Sequence, residues 1–119
     1  MTSQGHAYAR FRRALKAGNV LLAVAAAHDL RMVSLADALE LLLLLARQGG
    51  ERYGRAAIRW HSRYCREVEG LSGAEATAVL GLLLMLDGPR AKPAAQALAC
   101  LLREQISPVS SEALTSWQG

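Results

Sequence analysis

Aromatic residues make up only 5% of this chain, and valine and isoleucine are scarce beside alanine and leucine. Strands favour β-branched and aromatic residues, so their scarcity argues against a sheet and the Ala/Leu abundance argues for helix. Two cysteines, Cys65 and Cys100, are too few for a disulfide framework. Both fall in helical segments, where buried reduced thiols are expected. No stretch reaches the ~18 uninterrupted apolar residues of a membrane helix. The richest, 35–46, carries Asp37 and Glu40. Basic residues up to Lys16 ahead of the apolar run 20–27 imitate a secretory signal, but that run is short and Gly18-Asn19 reads as a turn. A cytoplasmic protein without membrane contact is therefore expected.

Chemistry is equally thin. With no strands, no glycine loop follows a strand to cradle phosphate. No nucleophile stands beside a base, and the one close carboxylate pair, Asp37 and Glu40, has other work: Asp37 as a helix cap, Glu40 as a bridge to basic helices. His61 and Cys65 lie one turn apart, but His6, His28 and Cys100 are scattered, and zinc needs three or four ligands. The expectation is a protein that is not an enzyme, without cofactor or metal.

What is present is a repeat. Segment 34–66, moved forward by 38 residues without a gap, lands on 72–104 with ten identities. They are Ser34/Ser72, Ala36/Ala74, Ala38/Ala76, Leu42/Leu80, Leu44/Leu82, Leu45/Leu83, Gly50/Gly88, Arg52/Arg90, Ala56/Ala94 and Ala57/Ala95. A period in the 30s with helical composition marks stacked two-helix units. The fold class read from this is all-α: three antiparallel helical hairpins, as a short solenoid or compact six-helix bundle. The repeat domain spans 1–105, with units at about 6–30, 34–68 and 72–105, and a flexible polar tail follows at 106–119. Trp117 in that tail is expected to dock on the helices.

Helix 1 (6–17) shows the stripe Ala7, Phe11, Ala14, Leu15 and ends at Gly18. Helix 2 (19–30) is capped by Asn19 and apolar nearly all round, which predicts burial. Ser34 caps helix 3 (to 48), with Asp37 in a variant capping box, and its five consecutive leucines, 41–45, predict a surrounded helix. Helix 4 (51–68) packs through Tyr53, Ala57, Trp60, Tyr64 and Val68. Ser72 and Glu75 form a full capping box for helix 5 (to 86), again apolar all round, with Gly81 read as a close helix–helix approach. Helix 6 (90–105) tolerates Pro93 in its first turn and packs through Ala94, Leu98, Leu101 and Leu102. Helices 3 and 5 are thus expected inside, and 1, 4 and 6 outside.

At the first hairpin's turn, Gly18, Asn19, Val20, Ala23 and Val24 resemble the helix-to-helix corner of tetratricopeptide repeats. That family's aromatic positions are not reproduced in the later units, and its period is shorter, 34 residues. The resemblance implies an α–α hairpin scaffold that binds proteins or peptides.

The charge is uneven: 11 Lys/Arg against 4 Asp/Glu in 1–66, but 3 against 6 in 67–119. Five arginines, Arg52, Arg55, Arg59, Arg63 and Arg66, fall within an ~80° arc of helix 4. Glu51 can pair with Arg55 and Glu67 with Arg63; the rest lack an i,i+4 partner. Like charges in a row call for compensation, first of all by solvent and salt or by acidic side chains of another helix, otherwise by an acidic protein surface or a polyanion. The preferred expectation is a non-catalytic interaction module, an adaptor or regulatory subunit, whose protein partner meets either the basic face of helix 4, through an acidic surface, or a groove between hairpins. The alternative is a small nucleic-acid-binding regulator using the same row and the basic residues of helix 1. The leucine load also admits self-association.

Overall fold

The computed structural model describes residues 3–102 and 105–106. These described residues form six helices: α1 (Ser3–Ala17), α2 (Val20–His28), α3 (Leu35–Gln48), α4 (Glu51–Glu67), α5 (Gly73–Leu83) and α6 (Ala91–Leu102). They pack as consecutive pairs, α1 with α2, α3 with α4 and α5 with α6, and each pair leans on the next. No helix among the described residues is long and apolar enough to cross a membrane. The expected tail lies outside the described residues from 107 on, Trp117 with it, as do Arg103 and Glu104.

Local chemistry sets the helix ends. Gly18 takes a φ of 73°, a left-handed conformation that costs a side-chain-bearing residue strain, and lets α1 stop within one residue of the next cap. Asn19 then accepts a hydrogen bond from the Leu22 amide at 3.1 Å. The α5 capping box is complete: the Glu75 amide donates to Ser72 Oγ and the Ser72 amide to Glu75 Oε1, at 3.1 and 3.2 Å. Those bonds hold the Glu75 carboxyl below its ordinary range. At α3 only half the box forms. The Asp37 amide donates to Ser34 Oγ at 3.0 Å, while the Asp37 carboxylate turns to α1 and accepts from Arg12 at 2.9 Å.

The apolar residues form two clusters. The smaller joins α1 and α2 to α3 through Phe11, Ala14, Leu15, Val20, Ala23, Ala26 and Leu44. The larger joins α3, α4, α5 and α6, with Leu39, Tyr53, Tyr64, Val79, Leu83 and Leu98 at its centre. α4 carries the aromatic side chains of the second cluster, and their polar ends are spent inside the fold. Tyr53 donates to the Leu83 carbonyl at 2.6 Å, Trp60 Nε1 to the Leu35 carbonyl at 3.0 Å, and Tyr64 to Gln105 Oε1 at 2.5 Å. Trp60 and Tyr64 stack at 5.3 Å. Burial, with the Asp87 charge adding to it, pushes the Tyr53 hydroxyl well above the usual tyrosine range.

The stripe expected on α1 is buried, and so is that on α4 except Val68, which is half-buried just past the helix end; on α6, Ala94, Leu98 and Leu102 are buried and Leu101 is half-buried. The inside–outside assignment of the other helices changes. α3 carries seven buried residues but is not surrounded as expected: Leu41 and Leu45 stay partly exposed. α5 buries only Val79 and Leu83, since among the described helices it packs against α4 and α6 alone. Its remaining positions are mostly alanine, threonine and glycine, whose exposure forfeits little apolar area. α2 likewise buries only Val20, Ala23 and Ala26, leaving Leu21 79% and Leu22 59% exposed, since no further helix among the described residues packs beyond it. Gly81 does not mark a close approach: a Cβ there would meet nothing within 4 Å. Both cysteines are exposed rather than buried. Cys65 follows the buried Tyr64 by one residue, which swings it about 100° off the packing face.

Candidate functional site

Because Tyr53, Ala57, Trp60 and Tyr64 pin one face of α4 to the core, the rotation of its arginines is determined. The row divides in two. Arg52, Arg59 and Arg63 fall within about 40° of one another on the helix and line a groove between α2, α3 and α4. Arg55 and Arg66 sit farther round and stay outside it. The groove holds about 410 Å³. Its floor and far wall are apolar: Val24 and Ala27 from α2, Leu41 and Leu45 from α3, and Ala56 and Trp60 from α4. His28, at the end of α2, also lines the groove and is exposed.

Arg63 is the one half-buried member, and its Nε donates to Glu67. Arg55 lies 3.9 Å from Glu51, with both side chains largely in solvent, a pair that contributes little. Among the described residues no carboxylate pairs with Arg52, Arg59 or Arg66. On the groove wall Glu67 offsets Arg63, while Arg52 and Arg59 repel each other across an apolar trough more than they would in open water.

The basic residues of α1 are arranged differently. Arg12 reaches α3 and bridges Asp37 at 2.9 Å and Glu40 at 2.6 Å. Burial alone would lower the Arg12 guanidinium; the hydrogen bond and charge of Glu40 and the charge of Asp37 outweigh it and hold it above its ordinary value. The Tyr8 hydroxyl beside them is pushed up by burial and by the Asp37 charge. Arg10 pairs with Asp29 at 3.3 Å. Asp37 and Glu40, the one carboxylate pair considered for acid–base chemistry, are therefore both bound to a single guanidinium.

His61 and Cys65 do come together, with Sγ 3.7 and 3.8 Å from the two ring nitrogens. His61 Nε2 also lies 2.7 Å from the Ala76 carbonyl, which accepts its proton and ties α4 to α5. Among the described residues no three His, Cys, Asp or Glu side chains gather as a metal site.

The groove's apolar residues were not singled out by sequence reasoning. The signal was available in part: five consecutive leucines cannot all be enclosed by a three-helix neighbourhood, and α2 offers mainly alanine to cover them. Comparison with protein-family models, with curated proteins and with solved structures finds no match.

Proposed function

We propose that the chain is a non-catalytic protein–protein interaction module, an adaptor or regulatory subunit, whose acidic partner meets the arginine-bearing face of α4. One observation carries the reading: Arg52 and Arg59 stand beside an open apolar groove, without a carboxylate partner among the described residues. Protein interfaces combine an apolar centre with arginine at its margin. The likeness of the first hairpin corner to tetratricopeptide repeats points the same way. Arg55 and Arg66, on the neighbouring strip of the helix, would extend the contact with rim charges that steer the approach.

A nucleic-acid regulator would use the whole row together with the basic residues of α1. Two of those, Arg10 and Arg12, are held by Asp29, Asp37 and Glu40, which leaves α1 less charge to offer phosphates. The test is photo-crosslinking in the host cell from a benzophenone side chain at position 55 or 59. Protein adducts that survive nuclease are expected at either position. Adducts destroyed by nuclease, or none at both positions, contradict the reading.

A further inference from the structure

We infer that the groove between α2, α3 and α4 receives a single acidic amphipathic helix from a partner protein, with large apolar side chains on Leu41 and Leu45 and carboxylates on Arg52, Arg59 and Arg63. This rests on the interaction-module reading and assigns its site and the chemistry of its occupant.

The repeat supplies the first argument. Leu41, Leu45 and Ala56 correspond to Val79, Leu83 and Ala94 one repeat later. In that later seam Val79 and Leu83 are wholly buried and Ala94 is 2% exposed. The cover is α4, the second helix of the preceding hairpin, which brings Tyr53, Trp60 and Tyr64 into the same cluster. At the earlier seam the equivalent helix is α2, nine residues against the seventeen of α4. It buries Val20, Ala23 and Ala26 and reaches the groove with Val24, Ala27 and His28. These side chains are too short to close over Leu41 and Leu45, which remain partly exposed. The molecule itself thus shows what fits such a floor: a helix presenting bulky side chains along one face.

Charge supplies the second. From Arg52 to Arg63 the wall runs ~16 Å, three turns of helix. A partner helix lying antiparallel to α4 would meet it with acidic residues at i, i+4 and i+11, flanking its apolar stripe. The guanidinium fork takes a carboxylate through two hydrogen bonds, and the apolar floor beside it excludes water from that contact. A polynucleotide fits less well. It would use Arg55 and Arg66, which lie outside the groove, and of the two aromatic rings in the groove lining Trp60 is only 5% exposed, which leaves the His28 imidazole as the one accessible stacking face.

The experiment is selection, against the full chain, of a displayed library of amphipathic helices with a constant apolar stripe and flanks randomised among Glu, Gln and Lys. Recovered helices are titrated against the wild type and against two groove-filling variants, Ala56→Trp and Ala27→Phe, each checked for native circular dichroism. Two fillings of opposite walls keep the test valid if one variant misfolds. Expected are helices with glutamates beside the stripe that bind both filled variants at least about tenfold more weakly, with Lys92→Glu, an exposed charge on α6 outside the groove, changing affinity less than about threefold. Neutral or basic flanks, no recovered helix, or undiminished binding to the filled variants overturn the inference. So does a homodimer of the wild type that either filling dissociates, since the occupant is then a second copy. Nuclease-resistant protein adducts from position 55 or 59 alongside any of these results would leave the interaction module standing on another surface.

Discussion

The two seams between hairpins are built from matching positions and end differently. Between the second and third hairpins, α4 lays Tyr53 and Tyr64 into the junction, and each spends its hydroxyl on a hydrogen bond within the fold, to the Leu83 carbonyl and to Gln105. Between the first and second, the short alanine-rich α2 leaves Leu41 and Leu45 at the floor of an open groove. The first seam is instead held by Phe11, Leu15 and Leu44 below and by polar contacts, Arg12 to Asp37 and Glu40 foremost. A repeat specifies equivalent backbone positions, not equivalent burial: that depends on the size of the side chains the neighbouring helix brings.

The comparison can be broken most forcefully at the pair Leu83 and Leu45. Leu83→Ala removes a wholly buried side chain, and a loss of about 2–5 kcal/mol in urea unfolding is expected. Leu45→Ala, at the matching position beside the groove, should cost less than half as much; equal losses would mean the first seam is as closed as the second. Next comes the charge contrast. Arg12→Ala leaves two carboxylates facing each other, partly buried, and should cost about 1–2 kcal/mol after allowance for its exposure. Arg59→Ala should change stability by less than about 0.5 kcal/mol, as for a side chain the fold does not use.

Ser72→Ala removes the α5 cap and should cost about 1 kcal/mol. Its partner Glu75 titrates below the ordinary carboxylate range in the folded protein, so its contribution is present above that range and lost as pH falls through the lowered value. A Glu75→Gln variant should therefore trail the wild type at neutral pH and converge with it in acid-titrated denaturation curves. The smallest effect is a gain. Gly81→Ala, in a helix interior with open space at the Cβ, should stabilise by about 0.5–1 kcal/mol; a loss would restore the close helix approach that the sequence suggested.

Much of the architecture was readable from the residues. Ser34, Ser72 and Asn19 announced helix starts through their capping chemistry, and the stripes of α1 and α4 were legible because polar residues fill the rest of each wheel. Where a helix is apolar all round, the pattern no longer says which side is covered. α2, α3 and α5 look alike in that respect, yet only α3 has neighbours on several sides. The arginine row was visible as a row, but its division into Arg52, Arg59 and Arg63 on the groove and Arg55 and Arg66 off it follows from how the aromatic residues of α4 rotate the helix. A groove between hairpins was among the expectations, but its place between α2, α3 and α4 was hidden because it arises from what α2 fails to cover, a tertiary property without a motif.

The most direct measurement takes the repeat pair Ala56 and Ala94, each changed to phenylalanine and followed by denaturant unfolding. Ala94 sits in the filled seam, where Ala94→Phe overpacks and should cost about 1–3 kcal/mol. Ala56→Phe grows into the open groove and should leave stability unchanged or slightly raised. Equal destabilisation by the two would contradict an open first seam, and with it the receptor groove.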